Sequence, residues 1–115
     1  MSPSQRLDSA RALMAMEGGW PRSVPLLIRQ ALEQELASRV EELLPGSSKG
    51  TTSLQLIALK LLGSDEALAL QVALAWHGLS EACHHNGYEL APLSGQLTDW
   101  LETTEGFVRS QGIVG

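Results

Sequence analysis

The segment after Pro21 has the apolar spacing of an amphipathic helix over its whole length. Apolar side chains recur at intervals of three and four residues, at Ile28, Leu32, Leu36, Val40 and Leu43. These intervals place side chains on one face of an α-helix, because the helix repeats every ~3.6 residues. The pair Pro45-Gly46 interrupts the pattern, so the sequence predicts a long helix over residues 23 to about 44.

The rest of the chain divides at glycine and proline into segments with similar spacing. We expect one helix from residue 3 to the glycines at 18 and 19, a second over 52–62, and a third from about 64 to the Asn-Gly pair at 86 and 87. A last helix is expected from residue 94 onward. Its apolar stripe is Leu97, Trp100, Leu101 and Val108, if Gly106 does not break the helix. The loop at 45–50, Pro-Gly-Ser-Ser-Lys-Gly, is predicted to be flexible and open to proteolysis.

Composition agrees with an all-helical fold. Hydrophobic residues make up 43% of the chain but aromatic residues only 4%, so leucine, alanine and valine must build the core. Leucine and alanine are strong helix formers, and 115 residues are enough for one core. We predict one domain over residues 1–115, an all-α bundle of four to five helices whose second and fourth helices are the long ones, with a loose tail at 110–115.

The charge of the chain disfavours a nucleic-acid-binding surface, and its cysteine content excludes an internal disulfide. The net charge is −5 and the eight basic residues are scattered, which disfavours a nucleic-acid surface. The single cysteine, Cys83, cannot form an internal disulfide, so we expect a reducing, cytoplasmic setting. No signal peptide is recognisable, and the most apolar run, residues 67–76, contains Gln71 and is too short to span a membrane.

The fourth predicted helix is apolar on two sides over its first half. On a helical wheel one face carries the predicted core stripe of Leu68, Val72, Trp76, Leu79 and Cys83. The opposite face begins with Leu70 and Leu74 and continues with polar residues. In a bundle this small, a second apolar side indicates a partner chain. We therefore predict a homodimer with an interface formed by Leu70, Leu74, His77, Glu81 and His84.

The histidines of this helix are predicted to be solvated or interfacial rather than metal ligands. His77 and His84 share a face but stand seven residues apart, about 10 Å along the axis, too far to bind one ion together. Only His77 with Glu81, or Glu81 with His84, could ligate a metal with help from elsewhere, as a metal-dependent helical enzyme would require. We expect no metal and no cofactor.

Other residues whose side chains could take part in binding or catalysis have structural explanations. Arg29 could touch a phosphate or a partner carboxylate, but we expect it to pair with Glu33 one turn later, as Arg39 pairs with Glu35. Trp76 and Trp100 are predicted to be core residues rather than a stacking platform. The sequence has no glycine-rich phosphate loop and no recognisable Ser/His/Asp or Cys/His arrangement.

Two stretches, WPRSVPLLIRQALEQEL at 20–36 and AWHGLSEACHHNGYELAP at 75–92, resemble small actinobacterial HEPN-like domains. The resemblance covers about two thirds of the chain. It implies a bundle of about five helices that dimerises through its long helices. It also implies one of two activities. Some HEPN domains are metal-independent ribonucleases that act as toxins or defence effectors, and others are inactive modules that bind proteins or nucleotides, often beside a nucleotidyltransferase.

The motif of the active HEPN members, an arginine four to six residues before a histidine, is missing here. Residues 78–81, which stand at those distances before the two adjacent histidines, are Gly, Leu, Ser and Glu. Of the two motif residues, only the histidine has a counterpart in this chain, at His84 or His85. We therefore predict a non-catalytic, homodimeric interaction domain, by resemblance part of a toxin–antitoxin or defence system with a partner such as a nucleotidyltransferase. The alternative is a ribonuclease, acting on RNA, whose site forms across the dimer from His84 or His85 with Arg29 or Arg39.

Overall fold

A computed structural model describes residues 1–16, 23–84 and 94–110. These residues form five α-helices and no strand: α1 (Pro3–Met14), α2 (Ser23–Leu43), α3 (Thr52–Leu62), α4 (Glu66–His84) and α5 (Ser94–Arg109), with a short 3-10 turn at Ser47–Lys49. The predicted all-α class is confirmed. The two longest helices are α2 and α4, with 21 and 19 residues, as the sequence predicted.

Side-chain caps set where three of the helices begin. Ser2 accepts a hydrogen bond from the backbone N–H of Gln5, and the Gln5 side chain accepts one from the N–H of Ser2, which completes a capping box. Thr51 caps α3 by accepting from the N–H of Leu54. Asp65 does the same for α4 by accepting from the N–H of Leu68. These bonds satisfy backbone donors that have no partner within the helix.

Helix α2 is the centre of the bundle, since it packs against each of the other four helices. Four residues of its predicted stripe, Ile28, Leu32, Leu36 and Val40, are completely buried. Leu43, the last member of the stripe, is 41% exposed. Leu43 is the last residue of α2 and lies beyond Val40, where the buried part of the stripe ends.

Helix α5 closes the bundle and continues through Gly106 without a break. Leu97 and Leu101 of its predicted stripe are buried, while Trp100 and Val108 pack on the core with part of their surface exposed. Phe107, which the apolar spacing did not single out, is completely buried and is the largest such side chain among the described residues. Ser110, predicted to begin a loose tail, donates a hydrogen bond to the carbonyl of Phe107. Residues 111–115 lie outside the described ranges.

The loop between α2 and α3 is held by two side chains. Gln55 is buried, and its amide nitrogen donates to the carbonyls of Ser48 and Gly50, each at 3.1 Å. The carboxylate of Glu41 accepts from the N–H groups of Gly46 and Ser48. The predicted flexible loop therefore contains an anchored 3-10 turn, because α2 and α3 each supply a polar side chain that satisfies its backbone.

Candidate interaction surface

The buried face of α4 is built around small residues. Ala69, Val72, Ala75 and Leu79 are buried, whereas three members of the predicted stripe, Leu68, Trp76 and Cys83, are only partly buried. Helix α4 packs against α2, α3 and α5 together. Alanine at two of these four positions allows those helices to approach closely, and Leu68, Trp76 and Cys83 remain partly exposed.

The opposite face of α4 points to solvent. All five residues predicted as an interface are exposed there: Leu70, Leu74, His77, Glu81 and His84. Leu70 is 58% exposed and Leu74 is 62% exposed. Their spacing of four, three, four and three residues lines them up along the helix. The described helices therefore leave the second apolar side of α4 uncovered, with the leucines at its beginning and the polar residues at its end.

Helix α3 also carries exposed apolar side chains. Leu54, Ile57 and Leu61 are 61%, 53% and 73% exposed. Helices α3 and α4 are joined by only residues 63–65, pack against each other and both lie on α2. Both helices thus carry exposed apolar residues, and we call the set Leu54, Ile57, Leu61, Leu70 and Leu74 the hairpin face. The sequence showed α3 to be apolar on several sides but did not identify which side stays exposed.

An apolar groove runs beside α3 at the edge of the hairpin face. It has a volume of about 440 Å³. The anchored loop contributes Gly46, Ser47 and Gly50, and apart from Gln55 the remaining lining is apolar: Leu44, Leu54, Ile57, Ala58, Leu61 and Leu62. The groove and the hairpin face share the three α3 residues Leu54, Ile57 and Leu61.

A polar cluster lies where α2, α3 and α4 meet, and each of the three helices contributes a side chain to it. The indole N–H of Trp76 donates to Glu33 at 3.2 Å, and the hydroxyl of Thr52 donates to the same carboxylate oxygen at 3.3 Å. Arg29 lies 3.5 Å from that oxygen, and its guanidinium stands 6.0 Å from the centre of the Trp76 ring. The predicted Arg29–Glu33 pair is confirmed, and Trp76 is a half-buried hydrogen-bond donor rather than a fully buried core residue.

Arg39 is engaged at the other end of α2. Its Nε donates to the buried carboxylate of Glu35 at 2.9 Å, which confirms the predicted pair. A terminal nitrogen donates to the carbonyl of Phe107 and to the hydroxyl of Ser110. The guanidinium also lies 4.6 Å from the centre of the Phe107 ring, within cation–π range. Arg39 thereby joins α2 to the end of α5.

The residues required for catalysis in the alternative hypothesis are only partly described. His84 is exposed at the last position of α4, while His85 lies outside the described ranges. Both candidate cations, Arg29 and Arg39, are in ion pairs with glutamates of their own helix. Within residues 1–16, 23–84 and 94–110, no group of three or more His, Cys, Asp or Glu side chains is arranged to hold a metal ion.

Comparison with known proteins adds no relative. No protein-family model, no curated protein and no solved structure matches the chain. The resemblance to HEPN-like domains therefore stays a prediction. None of the helices in the described ranges is long and apolar enough to cross a membrane.

Proposed function

We propose that this chain is a non-catalytic helical interaction domain that forms a homodimer through the exposed side of α4. The observation that carries the proposal is the exposure of Leu70 and Leu74 on a helix whose other side packs on the core through Ala69, Val72, Ala75 and Leu79. Contiguous exposed apolar surface on a folded domain commonly marks an interaction site, because burying it removes it from water.

The polar residues of the same face support this proposal. His77, Glu81 and His84 continue the line of the two leucines and are exposed. Protein interfaces generally have an apolar centre and a polar rim whose groups bond to the partner or to water. On the outer face of α4, the two leucines form an apolar part and the three polar residues that follow them along the helix form a polar part.

The ribonuclease hypothesis has weaker support from the geometry. Cleavage of RNA by attack of a 2′-hydroxyl group requires a cation to stabilise the charge that develops in the transition state. Arg39 donates to Glu35, Phe107 and Ser110, and Arg29 is held beside Glu33 and Trp76. Both guanidinium groups thus serve contacts inside the bundle. RNA cleavage that is lost in a His84→Ala, His85→Ala double variant would establish the ribonuclease instead.

The biological setting of the proposal comes from the resemblance to HEPN-like domains. It consists of a toxin–antitoxin or defence system in the cytoplasm, with a partner such as a nucleotidyltransferase. Purification of the chain together with the product of a neighbouring gene tests this part independently of the homodimer.

Light scattering at micromolar concentration tests the homodimer. The expected mass is twice the chain mass of 12.4 kDa. Leu74→Glu should shift the protein toward monomer while its helical circular dichroism is unchanged. Leu26→Glu is the matched control, because Leu26 is an exposed leucine, at 43%, on α2. A wild-type protein that remains monomeric across this range contradicts the proposal.

A further inference from the structure

The two leucines of α4 are too small a surface for a stable dimer by themselves. With 58% and 62% of their surfaces exposed, they offer little more than the area of one leucine side chain. That is on the order of 200 Å², whereas each partner in a standard interface buries about 800 Å². A dimer that used only the α4 leucines would therefore be weak, and additional apolar surface must be covered.

Helix α3 supplies the missing area. Leu54, Ile57 and Leu61 bring the exposed apolar surface of the hairpin face to on the order of 500 Å². A standard interface of about 800 Å² per partner is roughly 56–65% apolar, which corresponds to about the same area. The hairpin face therefore has the apolar content of one side of a complete interface.

The charge distribution favours a second copy as the partner. Lys60 is the only charged residue of α3, and Glu66 is the only one in the first three turns of α4. A symmetric dimer brings identical surfaces together, so a strongly charged face would repel its own copy. A face almost free of charge, on a chain of net charge −5, avoids that repulsion.

We propose that the α3–α4 hairpins of two copies pack face to face, so that Leu54, Ile57 and Leu61 of α3 share the interface with Leu70 and Leu74. The inference rests on the homodimer proposed above and names the elements that form it. Because Leu54, Ile57 and Leu61 also line the apolar groove, a partner copy on these residues also covers the groove along Leu44 and Leu62.

Sedimentation equilibrium on the full chain tests the proposal with Leu61→Glu, Leu74→Glu and the control Leu26→Glu. We expect each of the first two substitutions to raise the dimer Kd at least tenfold and the control to leave it within about twofold. Leu61 is 73% exposed, so its substitution should leave the urea unfolding midpoint, extrapolated to the monomer, unchanged.

The outcomes separate the two proposals. If Leu74→Glu dissociates the dimer and Leu61→Glu binds as tightly as wild type, α3 is not part of the interface and this inference is overturned, while the homodimer stands. If the wild-type chain is a monomer, both are overturned. If the control dissociates the dimer as strongly as Leu61→Glu, the interface lies elsewhere and the inference also fails.

Discussion

The indole ring of Trp100 lies directly against the backbone of Gly78. A β-carbon built at Gly78 would stand 2.3 Å from Cζ2 and 2.6 Å from Cε2 of Trp100, well inside van der Waals contact. Glycine at position 78 therefore allows the six-membered ring of Trp100 on α5 to approach the backbone of α4. The close packing, rather than any special backbone conformation, requires glycine here.

We predict that Gly78→Ala destabilises the fold. Alanine in place of glycine within a helix usually stabilises by about 0.5–1 kcal/mol, but overpacking a close contact costs about 1–3 kcal/mol. The net result should be a loss of about 1–2 kcal/mol in the free energy of unfolding, measured by urea denaturation.

A matched control is available on α5. A β-carbon at Gly106 would meet nothing within 4 Å. Gly106→Ala should therefore show only the intrinsic gain, about 0.5–1 kcal/mol of added stability. If the two substitutions changed stability in the same direction, the contact between Gly78 and Trp100 would not be limiting.

The helices could be predicted because their signals are local. The stripe of α2 repeats within a few residues, and the Ser2 cap requires only Gln5, three residues away. Pairs one turn apart on a helix, such as Arg29 with Glu33, likewise follow from spacing alone.

The burial of Glu35 and Phe107 could not be predicted, because their partners are distant in sequence. Arg39 pairs with Glu35 four residues away, but it also binds the carbonyl of Phe107, 68 positions further along the chain. Glu35 is only 2% exposed and is paired with the guanidinium that also binds the end of α5. Spacing predicted the ion pair but contained no information about what covers it.

The candidate interaction surface likewise combines features that the sequence predicts with features that depend on how the helices pack. The helical spacing of residues on α4 indicated which of them share its outer face, and all five are exposed there. Helix α3 is apolar on several sides, so periodicity could not distinguish its buried Leu56 and Leu59 from its exposed Leu54 and Leu61. Only the position of α3 against α2 and α4 separates them.

We predict that Trp76 and Glu33 are energetically coupled. Trp76→Phe keeps an aromatic ring at the junction of α2 and α4 but removes the N–H that donates to Glu33 at 3.2 Å. A hydrogen bond to a charged group is worth about 1.5–3 kcal/mol, and partial exposure of both side chains should reduce this to about 1 kcal/mol. A double-mutant cycle of Trp76→Phe and Glu33→Ala, measured by urea denaturation, gives the coupling.

Coupling in that cycle should persist when Thr52 is replaced by valine, because the indole donor binds Glu33 independently of the threonine hydroxyl. Additive effects of the two substitutions would show that the indole N–H and the Glu33 carboxylate do not interact energetically. Emptying the site with Trp76→Ala should cost less than the 3–5 kcal/mol typical of a fully buried tryptophan, since this side chain is only partly buried.

We predict that Glu41 makes stability depend on pH in the acidic range. The Ser48 hydroxyl, and then the backbone N–H groups of Gly46 and Ser48, donate to its carboxylate and lower the pKa of Glu41. A carboxyl whose pKa is lower in the folded than in the unfolded chain stabilises the fold above its unfolded pKa, about 4.3 for a glutamate in water. This contribution is lost as the pH falls through the lower, folded pKa.

Unfolding of wild type and Glu41→Gln by urea between pH 7 and pH 3 measures this effect. The wild type should be more stable at pH 7, and the difference should shrink as the pH falls below the pKa of an ordinary glutamate, because protonation removes the same charged acceptor that the substitution removes. Glu42→Gln is the control, since Glu42 is the exposed neighbour of Glu41 on α2 and should give a nearly constant difference. A wild-type advantage over Glu41→Gln that stayed constant down to pH 3 would mean that ionised Glu41 does not hold the loop.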